Sequence, residues 1–101
     1  MWLLQNSESE SERLTFRLTP GAVKTIGRVA GVDFIVDAAL VSRVHCRLEA
    51  ADDVMTVVDL QSTNGTYVND DRVERGAVKA GDRLRVGRME FMISRSLPPE
   101  P

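Results

Sequence analysis

The sequence predicts an all-β fold, a β-sandwich of short, mostly antiparallel strands with no substantial helix. Three observations carry that expectation. β-Formers dominate: valine is the commonest residue, and 13 Val, 3 Ile and 6 Thr are spread along 101 residues. Turn punctuation recurs about every 8–12 residues, the spacing of a sandwich or barrel. No segment sustains the i, i+3, i+4, i+7 apolar pattern over the roughly 10–12 residues that a helix needs.

The elements follow in chain order. Trp2, Leu3 and Leu4 predict a first strand. Residues 6–12 (NSESESE) are polar and acidic and predict a mobile loop. Leu14, Phe16 and Leu18 alternate with Thr15 and Arg17, as a half-buried strand should. Thr19-Pro20-Gly21 is a turn, with Pro fixing φ and Gly accepting a positive one. Residues 23–26 predict a short strand that runs into Gly27-Arg28, and residues 34–36 a further short apolar run. Cys46 and Leu48 alternate with Arg47 and Glu49. Residues 54–60 predict a longer, more buried strand. Asn64-Gly65 has the residue types of a hairpin turn, because both tolerate positive φ. Tyr67-Val68 precedes a turn at Asn69-Asp70-Asp71. Leu84 and Val86 alternate with Arg83 and Arg85, and Met89, Phe91 and Ile93 alternate with Glu90, Met92 and Ser94.

A chain of this length is one domain, expected over residues 1–97. Three of the four prolines fall in residues 98–101, which predicts a Pro-rich tail or the start of a linker to a larger protein. Composition excludes several classes. Hydrophobic residues are 43% and charged residues 28%, ordinary for a globular domain. A single cysteine, Cys46, excludes an intramolecular disulfide and a multi-cysteine zinc site. A single histidine, His45, excludes a His-rich metal site, and no cofactor or metal is expected. No run reaches the ~20 apolar residues of a membrane span, and no signal peptide is recognisable, so an intracellular, cytoplasmic location is expected. The formal net charge is −2, unlike the basic balance of a nucleic-acid module. Eleven of the 13 basic residues are Arg. That bias suits oxyanion recognition through a fixed fork of donors, and equally fits the codon usage of a high-GC bacterium.

Three clusters in expected loops carry chemistry. They are Gly27-Arg28 after a strand, Ser42-Arg43-Val44-His45 before one, and Ser62-Thr63-Asn64-Gly65-Thr66 followed by Asn69. Each alone has a structural reading: a solvated arginine, a loop cap, a turn. Together with Asp33 to Asp37 and Gly81-Asp82, their order and spacing resemble the forkhead-associated (FHA) domain family, from Leu14 to about Ser94. The resemblance implies a sandwich of about eleven strands that binds phosphothreonine peptides through loops at one end. Such a module acts in Ser/Thr kinase signalling. Its partner is a phosphothreonine-containing protein, or a threonine elsewhere in the parent chain, with a Ser/Thr kinase upstream.

By resemblance, Arg28, Ser42 and Thr63 contact the phosphate. Arg43 assists near the phosphate or the peptide backbone, and Asn64 clamps the peptide main chain. Gly27, His45, Gly65 and Asn69 structure the loops. The chemistry agrees. A phosphothreonine brings about −1.5 to −2 charges and three strong acceptor oxygens, so a reader needs a fixed cation and several donors. His45 is read as a hydrogen-bonded tie between loops rather than a general base, and Cys46 as a small buried hydrophobe. The segment before Ser42 is apolar (Ala38-Ala39-Leu40-Val41), where the family more often carries polar residues or proline. That departure suggests an apolar preference about three residues after the phosphothreonine; the alternative is packing on neighbouring loops.

Rival functions remain in view. The same fold serves as a scaffold for an unphosphorylated partner, or for intramolecular or oligomer contacts. Ser42, His45 and Asp59 can be drawn as a catalytic triad, but spacing alone does not make one, so no enzyme is expected. The acidic balance and the lack of an aromatic platform argue against nucleic acid.

Overall fold

A computed structural model of the chain describes residues 1–6 and 13–96. Residues 7–12 of the expected acidic loop and the Pro-rich residues 98–101 lie outside the described residues. Eleven strands and no helix are present among them: β1 (Trp2–Asn6), β2 (Thr15–Leu18), β3 (Val23–Gly27), β4 (Phe34–Ile35), β5 (Cys46–Ala50), β6 (Met55–Asp59), β7 (Thr66–Val68), β8 (Asp71–Val73), β9 (Arg75–Val78), β10 (Arg83–Val86) and β11 (Met89–Arg95). Among the described residues no helix is long and apolar enough to cross a membrane.

The strands form two sheets. One has the order β2-β1-β11-β10-β7-β8 and the other β4-β3-β5-β6-β9. Every pairing is antiparallel except that of β3 with the two-residue β4. The cause is period-2 patterning: alternate residues of each strand point to one face. Cys46, Leu48 and Ala50 of β5 face inward, as do Met55 and Val57 of β6. From the other sheet come Trp2 and Leu4, Leu84 and Val86, Phe91 and Ile93. These side chains form one continuous core between the sheets. Phe16 of β2 stacks on Phe34 of β4 with ring centroids 4.5 Å apart, which joins an edge strand of each sheet.

Four local expectations are corrected. Asn6 belongs to β1 rather than to a loop: it is buried and its Oδ1 accepts the Leu14 N–H at 2.8 Å. Asn64-Gly65 is not a hairpin turn, because β6 and β7, which flank it, lie in different sheets. The turn before β8 is the two-residue Asn69-Asp70, with φ of 48° and 72°, and Asp71 already belongs to β8. Both central residues of a tight hairpin turn of this twist need positive φ, and Asn and Asp tolerate it. Two strands, β8 and β9, were absent from the residue-by-residue expectation.

Candidate functional site

The end of β3 is stitched to the segment before β5. The Arg28 N–H donates to the carbonyls of Ser42 (3.1 Å) and Arg43 (3.0 Å), and the His45 N–H donates to the Ile26 carbonyl at 2.8 Å. Gly27 is required by this approach. A Cβ on it would sit 2.1 Å from the Arg43 carbonyl oxygen. Arg28 therefore leaves the sheet at a fixed place. Its Nε donates to the Val41 carbonyl at 2.9 Å, which sets the plane of the guanidinium and leaves the terminal nitrogens for a ligand.

His45 joins the second loop to the third. Its Nδ1 accepts the Ser42 N–H at 3.0 Å, so that nitrogen carries no proton, and Nε2–H donates to the Gly65 carbonyl at 2.8 Å. Both ring nitrogens are thus spent on backbone in a fully buried ring. Burial lowers the imidazole pKa, against the opposing pull of the Gly65 carbonyl and Asp59. The ring is neutral and tied down, and Ser42 Oγ has no base, so the triad arrangement is not formed.

The third loop, residues 60–65, is shaped by Asp59. Its Oδ1 accepts from Ser62 Oγ (2.5 Å) and Thr66 Oγ1 (2.7 Å), and its Oδ2 from the Ser62 N–H (3.2 Å). Burial works to raise the Asp59 pKa, but these donors and His45 outweigh it and hold the carboxyl below its ordinary value. Ser62 Oγ in turn accepts the Gly65 N–H at 3.0 Å. Gly65 takes a φ of 91°, which favours glycine. Cys46 lies beneath; burial, with Asp59 nearby, pushes its thiol up to about 12, so it stays protonated and inert.

These ties bring the expected residues together. Arg28, Ser42, Arg43, Thr63 and Asn64 all line one open depression of about 680 Å³. Ser42 Oγ accepts the Thr63 N–H at 3.0 Å, leaving its own proton to donate. Asn64 Nδ2 donates to the Leu40 carbonyl at 3.1 Å, which holds the second and third loops at one spacing. Gly27, His45 and Gly65 are buried beneath. Asn69 is elsewhere: it follows β7 at the strand end away from the third loop. There its Oδ1 accepts the Arg83 N–H at 2.9 Å and its Nδ2 donates to Asp82 at 3.1 Å.

Sequence reasoning did not assign Asp37, Val44 and Gln61 to the site, yet they line the same depression. Asp37 is a carboxylate facing an otherwise cationic bowl. Leu40 and Val44 stand 43% and 45% exposed there, and Leu40 holds a φ of 71°. A non-glycine residue in that region is strained, and such strain clusters at ligand clamps. The signal available in the sequence was the apolar segment itself.

The FHA domain family matches residues 24–87, well over half of the chain. The ABC transporter ATP-binding/permease protein Rv1747 of Mycobacterium tuberculosis is 35% identical over 82 residues, which is 81% of this chain and 9% of that protein. The glycogen accumulation regulator GarA of the same species is 32% identical over 71 residues, 70% of this chain and 44% of GarA. The chain therefore spans less than half the length of these relatives. A solved FHA domain, from a structural and functional analysis of phosphothreonine-dependent FHA domain interactions, superposes with a TM-score of 0.82 at 30% identity. That superposition covers 96% of this chain and 98% of the other. Motif order, sandwich topology and these matches agree: the chain belongs to the FHA domain family.

Proposed function

We propose that this domain is a phosphothreonine-peptide recognition module, not an enzyme, and that it mediates phosphorylation-dependent protein–protein interaction in cytoplasmic Ser/Thr kinase signalling. One observation carries the reading. Donors from three separate loops converge on a single open depression, with the terminal nitrogens of Arg28, the hydroxyl proton of Ser42 and the hydroxyl of Thr63 left to donate. That set matches a dianion with three acceptor oxygens. Arg28, Ser42 and Thr63 bind the phosphate. Arg43 and Asn64 hold the peptide backbone. The relative solved in a study of phosphothreonine-dependent interactions supports the same chemistry. A Ser/Thr kinase writes the mark, and neither nucleic acid nor membrane is the partner.

Calorimetry with a phosphothreonine peptide and its unphosphorylated twin tests this. The phosphorylated form alone binds, and Arg28→Ala weakens it on the order of 10–150-fold. That follows from a charge-assisted hydrogen bond of about 1.5–3 kcal/mol, with about 1.4 kcal/mol per tenfold. The melting temperature changes little, because Arg28 is exposed. Equal binding of both twins would instead identify a scaffold for an unphosphorylated partner. Leu40 and Val44 add a preference for an apolar residue about three positions after the phosphothreonine; a degenerate library in which acidic residues win at that position refutes it.

A further inference from the structure

We propose that Arg72, Tyr67 and Arg85 form a second anion subsite, continuous with the recognition depression, that takes acidic side chains of the same phosphopeptide. The inference rests on the phosphothreonine reading above and adds a partner chemistry to it.

The three residues lie in one row on the outer face of the six-stranded sheet. Arg72 of β8 is opposite Tyr67 of β7, and Tyr67 is opposite Arg85 of β10. They point outward because their neighbours Thr66, Leu84 and Val86 are fully buried. The Arg85 guanidinium carbon lies 4.1 Å from the Tyr67 ring centroid, a cation–π contact that holds it flat on the sheet. Arg72 lies on the other side of the ring. A Cβ on Gly65 would lie 2.9 Å from Arg72 Nε and 3.1 Å from the Tyr67 ring, so the guanidinium rests on the Gly65 backbone. Gly65 is the neighbour of Asn64, which lines the depression. The row therefore begins one residue from the proposed backbone clamp.

Among the described residues its charges have no carboxylate partner. Arg47 and Arg75 pair with Glu49, and Arg83 pairs with Asp70 and Glu90. Among the described residues no carboxylate pairs with Arg72 or Arg85. Glu90 stands opposite Arg85 in register, but its carboxylate is turned to Arg83 at 3.7 Å. Two neighbouring guanidiniums, one of them stacked on Tyr67 and neither with a carboxylate partner among the described residues, make a place for an anion.

Reach selects the occupant. Strands are about 4.8 Å apart, so the row spans roughly 10 Å, and an extended peptide advances about 3.3 Å per residue. A peptide leaving Asn64 across this face brings side chains roughly three to five residues further on over Arg72 and then Arg85, past the place that Leu40 and Val44 line. Carboxylates at those places meet bidentate donors.

The test uses the whole chain and two labelled phosphothreonine peptides, one with Glu at the fourth to sixth positions after the phosphothreonine and one with Gln there, both with Leu at the third, each beside its unphosphorylated twin. Wild type is expected to bind the Glu peptide about 3–20-fold tighter at low salt, as two exposed charge pairs would provide. The gap closes at high salt. The double variant Arg72→Gln, Arg85→Gln loses the gap, yet still binds the Gln peptide in a phosphate-dependent way. Equal wild-type affinity for both phosphopeptides, or a gap that survives the double variant, overturns the subsite and leaves phosphothreonine reading intact. So does tight binding of a single-stranded oligonucleotide that the double variant abolishes, which would assign the face to nucleic acid. Phosphopeptides that bind no better than their twins overturn both readings together.

Discussion

A carbonyl oxygen decides what residue 27 can be. The Arg43 carbonyl approaches Gly27 so closely that any side chain must push residues 42–45 away from β3. Those residues carry Ser42 and His45, so the cost falls on the site as well as on the fold. Gly27→Ala is expected to destabilise the domain by about 1–3 kcal/mol, the usual range for overpacking. It should also weaken phosphopeptide binding, because Arg28 loses the backbone anchor that aims it. Urea midpoints and calorimetry on the same variant measure the two effects. Normal stability with normal affinity would show that the loop can yield, and that Gly27 is dispensable. Val44 is the opposite case. It stands between the buried His45 and the exposed Arg43, and nothing in its own pattern announces that it faces the depression.

The turn between β7 and β8 shows how part of an element can serve the fold at a distance from the site. Asn69 accepts the Arg83 N–H and donates to Asp82, whose carboxyl is held below its ordinary value by the Lys79 N–H first and the Asn69 amide second. Two turns are thereby locked together at the far end of β7. Asn69→Ala gives up both side-chain bonds and must still hold a φ of 48°. A loss of about 1–2 kcal/mol is expected, read from the denaturation midpoint. Affinity of the folded protein for phosphopeptide stays unchanged, and a large affinity loss would place Asn69 in the site instead. The long strands were legible because period-2 alternation is strong where one face is buried, as in β5, β10 and β11. β8 and β9 were not. Asp71-Arg72-Val73 is short and mostly charged, and β9 contains Gly76 and Ala77, so neither alternates. Both are edge strands, where charge and small residues guard against pairing with other chains. Asn64-Gly65 misled for a related reason. Local turn chemistry reports φ preference, and Gly65 does take a positive φ, but it says nothing of whether the chain turns back or crosses to the other sheet. The recognition residues themselves were legible through motif order. Asp37, Gln61 and the Arg72 row were not, because their roles arise from proximity in space.

At the scale of the molecule, the site is a property of the sandwich rather than of any loop. Arg28 and the 42–45 segment are anchored in the five-stranded sheet, while residues 60–65 cross from that sheet to the other. His45 ties the first group to the second, from within the protein. Its neutral state is therefore a condition for both stability and binding, and pH tests it. An unfolded histidine titrates near 6.5, whereas burial holds the native one lower. Between those two values the unfolded chain binds more protons than the native one, so stability rises with pH there. The contribution is complete above about pH 6.5 and is lost as pH falls through the native value. The slope is at most about 1.4 kcal/mol per pH unit for one proton. Asp59 acts later. Its native pKa is depressed, so its contribution is complete above its unfolded value near 3.9 and lost only as pH falls through the native one. Urea midpoints of the free protein should hold steady from pH 8 to 7, decline from about pH 6.5 downward, and decline again below about pH 4. His45→Gln should start from a lower midpoint and show no first decline. Working without ligand matters, since a phosphothreonine titrates near pH 6 itself and weakens binding in the same window. A midpoint that stays flat from pH 7 to 5 in the wild type would mean that the imidazole accepts a proton freely in the folded state. It would then not be the tie between Ser42 and Gly65, and the loops would need another reason to meet.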